Sequence, residues 1–134
     1  MITGRCLCGF VTYSYTGDAG PTGYCHCNDC RKCSGSAFGI SARFETKRFQ
    51  LTHGSVKGHT KLGDSGVELT RHFCPECGSP VYTSSPRHPA HIYVEVGLFD
   101  DPTMVKPTHQ SWVCSAVPWA TIDQSLPSFQ KSRT

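Results

Sequence analysis

The sequence has 134 residues, 37% hydrophobic and 17% charged, with a formal charge of +3. That length suits one hydrophobic core, so residues 1–134 are read as a single domain. The composition excludes a disordered chain, and the lack of any run of about 18 apolar residues excludes a membrane-spanning helix. No signal-peptide core follows Met1, which gives cytoplasmic as the expected location.

Nine cysteines are the main message of the composition. A reducing compartment disfavours disulfides, and the count is odd, so metal binding is the better account. If seven thiolates hold two zinc ions, seven negative charges are added and four positive ones returned, and the net charge falls to zero. The basic balance then gives no reason to expect a nucleic-acid partner.

In chain order, the first feature is Cys6-Leu7-Cys8-Gly9. In an extended backbone, residues two apart point to one face, so both sulfurs can reach one ion. Val11, Tyr13 and Tyr15 then alternate with Thr12, Ser14 and Thr16, the pattern of a half-buried strand. Residues 17–21 read as a turn. The segment Cys25-His26-Cys27-Asn28-Asp29-Cys30-Arg31-Lys32-Cys33-Ser34-Gly35 follows. A short helix is expected there, capped by Asn28 and ended by Gly35, with Cys30 and Cys33 on one face. Further strands are expected over 36–44, 67–73 and 92–96, with a loop over 85–89. Cys74-Pro75-Glu76-Cys77-Gly78 is a C-x₂-C turn, and its glycine permits the tight backbone. The tail around residues 125–129 is expected to pack on the surface. The fold class is therefore mainly β with a short helix.

The four thiolates of Cys6, Cys8, Cys74 and Cys77 make a closed tetrahedral site that staples distant parts of the chain. A redox reading of C-x₂-C lacks the βαβ context that such pairs require. Cys25, Cys27 and Cys30 form a second cluster. Three protein ligands leave a fourth position for water or substrate, as in a catalytic zinc site. Cys33 could instead close this site. The spacing of Cys27, Cys30 and Cys33 also occurs in iron–sulfur proteins, but no nearby fourth cysteine followed by proline is present.

Cys6-x-Cys8-Gly9, Cys25-His26-Cys27-x-x-Cys30-Arg31-Lys32-x-x-Gly35 and Phe73-Cys74-x-x-Cys77-Gly78 together resemble the glutathione-dependent formaldehyde-activating family. That family includes S-(hydroxymethyl)glutathione synthase and centromere-protein-V-type members. Ser36-Ala37-Phe38, Gly97-x-x-Asp100-Asp101-Pro102, Trp119 and Leu126-Pro127 extend the similarity over nearly the whole chain. The resemblance implies a small β-tent domain whose sheets are held by a structural zinc on Cys6, Cys8, Cys74 and Cys77. It implies a catalytic zinc on Cys25, Cys27 and Cys30, and makes Cys33 a position that is usually not a ligand. The implied activity is that of a zinc-dependent carbon–sulfur lyase, which adds the thiol of glutathione to formaldehyde or a related small electrophile.

Metal coordination deprotonates a thiol at neutral pH and holds the thiolate near its electrophile. Glutathione is anionic, so Arg31 and Lys32 beside the cluster are candidates to hold its carboxylates. An acid must protonate the alkoxide that forms, and the sequence identifies none. His26 is expected to be structural, Cys114 a buried small residue and Trp119 a core residue. The competing class is a noncatalytic zinc module that binds a partner. The sequence does not fix the oligomeric state.

Overall fold

The computed structural model describes residues 1–120 and 122–133. The protein is mainly β, as expected. Its strands are β1 (Ile2–Arg5), β2 (Thr12–Tyr15), β3 (Thr22–Cys25), β4 (Gly39–Glu45), β5 (Phe49–His53), β6 (Lys57–Leu62), β7 (Glu68–Phe73), β8 (Pro80–Ser84), β9 (His91–Glu95) and β10 (His109–Ser111). One α-helix, α1 (Asn28–Ser34), lies between β3 and β4.

The strands form two sheets. A three-stranded sheet runs β1-β2-β5, and a seven-stranded sheet runs β10-β3-β4-β9-β8-β7-β6. Every pairing is antiparallel except β10 with β3, which is parallel. The parallel pair is possible because a long stretch of chain separates the two strands.

The core lies between the sheets. Tyr13 and Tyr15 of the small sheet meet Ala42, Phe44, Ile92 and Val94 of the large one. Tyr15 stacks on Phe44 with ring centroids 3.9 Å apart, and its hydroxyl accepts from the Glu45 N–H at 3.0 Å. The buried phenol thus keeps a polar partner. A second cluster of Cys6, Val11, Cys74 and Val81 continues the core.

Strand alternation decides what the large sheet offers on its other face. Ala42 and Phe44 of β4, and Ile92 and Val94 of β9, point into the core. Their neighbours Ser41, Arg43, Tyr93 and Glu95 therefore point away from it. That outer face carries the cavity described below.

Several expectations change in detail. Residues 36–38 turn after the helix, so β4 starts at Gly39. Val96 leaves the expected strand and begins a 3₁₀ turn. Asn28 is not the helix cap. Cys27 takes that place with extended backbone, and its sulfur accepts the Cys30 N–H at 3.2 Å. Asn28 is already helical, so its side chain cannot fill the capping role. Gly35 ends the helix as expected, with a φ of 67°.

Cys114 and Trp119 are both exposed, against expectation, Trp119 to 75%. Both fall beyond the last strand, where no sheet face covers them. The tail does pack on the protein. The N–H groups of Gln110 and Trp112 donate to the carbonyls of Pro127 and Lys131, and that of Phe129 donates to the carbonyl of Gln110.

Candidate functional site

The fold gathers two cysteine groups. Cys6 and Cys8 follow β1, whereas Cys74 and Cys77 sit in the turn between β7 and β8. The first pair belongs to the small sheet and the second to the large one, and their four sulfurs lie within 4.8 Å of one another. Cys6 Sγ is 3.6 Å from Cys8 Sγ, and Cys8 Sγ is 3.8 Å from Cys74 Sγ. A tetrahedral zinc with bonds of about 2.3 Å separates its sulfurs by about 3.8 Å. These spacings fit such an ion and are far too long for a disulfide.

Backbone and hydroxyl groups support the sulfurs. The Val11 N–H donates to Cys6 Sγ at 3.3 Å, and the Glu76 N–H donates to Cys74 Sγ at 3.4 Å. Ser79 bonds to Cys77 through its side chain and backbone, which brings that thiol down to about 5. Donors aimed at sulfur favour thiolate, the form that binds metal. Gly78, with a φ of 77°, lets the turn close behind Cys77.

The second group is local. Cys25 ends β3, Cys27 caps α1, and Cys30 sits in its first turn. Their sulfurs also lie within 4.8 Å of one another. Hydrogen bonds from Cys25 and Cys30 lower Cys27 to about 2, and Cys30 is raised by the thiolates of the other two. Three sulfurs this close do not all ionise without a cation among them, and a divalent metal provides one. Cys33 is outside the group. Its neighbour is Arg71, although it faces the same cavity as Cys25 and Cys30.

That cavity has a volume of about 280 Å³ and lies on the outer face of the large sheet. Cys25, Cys30 and Cys33 form one wall. Leu69, Tyr93 and Trp112 give it apolar surface, and Arg43, Arg71 and Arg133 supply positive charge. Burial pushes Arg71 down, but the sulfurs of Cys30 and Cys33 more than offset this and hold it above its ordinary value. Glu95 is the only carboxyl lining the cavity among the described residues. Burial raises it to about 7 against the pull of Arg71. Trp112 has a φ of 56°, the only non-glycine residue described with positive φ. Strain of that kind persists where the surrounding structure holds it, here at the cavity wall.

Arg31 and Lys32 do not line this cavity. Lys32 is exposed, and Arg31 borders a separate groove beside Trp119. His26 does not line the cavity, and its buried Nδ1 has no hydrogen-bond partner among the described residues. Its side chain is buried, its Nε2 donates to Gln110 Oε1 at 2.9 Å, and Gln110 Nε2 donates to the Asp123 carbonyl at 3.2 Å. Sequence reading missed Arg71, Glu95 and Trp112. The available signal was alternation, since Tyr93 and Glu95 alternate with the core residues Ile92 and Val94 of their strand.

These features define a class of small β protein with two thiolate groups suited to metal, one linking the sheets and one opening on a cavity. The chain belongs to the glutathione-dependent formaldehyde-activating enzyme family, whose model matches residues 1–115. It is 29% identical over 109 residues to a Halomonas elongata protein provisionally described as a glutathione-dependent formaldehyde-activating enzyme. The match covers 75% of this chain and 66% of that relative, so it spans just under two thirds of the relative's length. A crystal structure of a Rhodobacter sphaeroides protein superposes with a TM-score of 0.56 at 18% identity, covering 95% of this chain and 98% of that one. That likeness is one of fold. No described helix is long and apolar enough to cross a membrane.

Proposed function

We propose that this protein is a zinc-dependent carbon–sulfur lyase that adds the thiol of glutathione to formaldehyde or a related small electrophile. The observation that carries this reading is the three-cysteine group beside a cavity with three arginines. In this reading zinc on Cys6, Cys8, Cys74 and Cys77 is structural. A second zinc, on Cys25, Cys27 and Cys30, would bind the incoming thiol in its ionised form and hold it as the nucleophile.

The chain's own residues orient the substrate. Arg43, Arg71 and Arg133 take the carboxylates of glutathione, in place of the expected Arg31 and Lys32. The apolar wall of Leu69, Tyr93 and Trp112 excludes water from the addition.

The test is a binding titration of the zinc-loaded protein with glutathione, followed by tryptophan fluorescence. The chain has two tryptophans, and Trp112 alone lines the cavity. Saturable quenching that Trp112→Phe removes is the expected result. No binding of glutathione at millimolar concentration would sink the reading and leave the noncatalytic zinc module in its place.

A further inference from the structure

Thiol addition to a carbonyl relocates one proton. The S–H bond breaks, a C–S bond forms, the carbonyl π pair moves to oxygen, and that oxygen ends with the proton that sulfur lost. No oxidant or reductant takes part, but the proton needs a carrier on both legs. We propose that Glu95 is this catalytic group: its carboxylate accepts the proton of the incoming thiol, and its carboxyl returns that proton to the carbonyl oxygen. The proposal rests on the thiol-handling function proposed above.

Position supports it first. Register places Glu95 opposite Ser41 of β4, on the face of the sheet turned away from the core. Cys25 at the end of β3 and Cys30 in α1 open onto the same cavity. Glu95 thus shares one small space with the group that would hold the thiol. Arg71 of β7 lines the same cavity, where its positive charge acts on Glu95 and it lies against Cys30. The charge of one guanidinium therefore acts on both sides of the proposed transfer and favours the carboxylate before it takes the proton.

The other charged and titratable groups facing the cavity are Arg43 of β4, Cys33 of α1, Tyr93 of β9, His109 of β10 and Arg133. The arginines do not give up protons under ordinary conditions. His109 is the rival carrier. Its Nδ1 is engaged with Thr108 Oγ1 at 3.2 Å, and burial lowers its affinity for a proton. Glu95 is shifted the other way by burial, to about 7, so both its forms are present near neutrality.

The experiment counts protons. Glutathione is titrated calorimetrically into the zinc-loaded protein at neutral pH in buffers of different ionisation enthalpy. A thiol bound as thiolate must release about one proton. In the parent Glu95, about half of it ionised near neutrality, captures up to about half of that proton as the bound thiolate raises its affinity for it, and the buffer receives a deficit of that size. Glu95→Gln should release about one full proton with glutathione affinity within about threefold of the parent. Glu95→Asp should restore the deficit, which a merely structural role would not do. Equal proton release from the parent and Glu95→Gln would overturn the proposal, as would a deficit abolished by His109→Gln and not by Glu95→Gln. Failure of the parent to bind glutathione would instead remove the function on which the proposal rests.

Discussion

At the scale of single residues, Glu95 also marks the stability of the protein. Its carboxyl is raised from 4.5 to about 7 in the fold, chiefly by burial, with Arg71 opposing. A carboxyl raised on folding binds more protons in the native than in the unfolded state, so its contribution falls as pH rises. The sign follows. The carboxyl carries no penalty below pH 4.5, loses stability between 4.5 and about 7, and stays flat above that. Glu95→Gln removes this loss. The melting temperature of the variant relative to the parent should climb across that window, by an amount equivalent to about 1–2 kcal/mol after allowance for its partial exposure. Paired thermal melts at several pH values test this, and a constant offset would refute it.

Cys33 is the second residue with a clear expectation. It lies outside the three-sulfur group and beside Arg71. Cys33→Ser should keep its full metal content and bind glutathione within about twofold of the parent, the scale of a substitution that breaks no ligand bond. Loss of one metal equivalent on elemental analysis would make Cys33 a ligand and the site closed.

At the scale of elements, the two cysteine groups differ in what they join. Cys74 is fully buried and helps connect the β7–β8 turn to the segment after β1. Cys74→Ser should cost more than about 4 kcal/mol, in the range of lost structural metal sites. Cys27 serves α1 as its cap. Serine is itself a favoured cap, so Cys27→Ser should lower stability by less than about 1 kcal/mol while it abolishes glutathione binding. Comparable denaturation midpoints for the two variants would contradict the division of roles. The helix has a further tie: Lys61 of β6 donates to both carboxylate oxygens of Asp29 at 2.8 and 2.9 Å.

The elements legible in the sequence were those with a local signal. Tyr13 and Tyr15 alternate with polar residues, and β2 lies where that pattern put it. The cysteine spacing located both sulfur groups before any fold was known. Strand β6 gave no signal because every residue in it is exposed, so no apolar face repeats at the strand period. The three residues of β10 are too few to show a period. Glu95 and Arg71 were legible as strand residues but not as site residues. Their meeting depends on the β4-β9-β8-β7 order of the sheet, which no local pattern encodes. Asn28 shows the limit of propensity, because a sulfur one residue earlier took the cap.

At the scale of the whole molecule, one site crosses between sheets and the other does not. Strong chelation should therefore proceed in two steps. The group of Cys25, Cys27 and Cys30 should lose its metal first, with the far-ultraviolet circular dichroism unchanged. The group of Cys6, Cys8, Cys74 and Cys77 should follow together with unfolding. Release of both metals in one step with loss of the fold would show that the sites are not independent.

The same crossing sets a schedule during synthesis. Cys8 and Cys74 are 66 residues apart. At about 5–20 residues per second, the ribosome takes roughly 3–13 s to make the second half of that site after the first. Through that interval Cys6 and Cys8 are a bare dithiol, able to hold an ion by two bonds only or to be oxidised. The two sheets cannot be locked together until the β7–β8 turn has emerged, so the small sheet must wait, reduced and unclosed, for most of the large one.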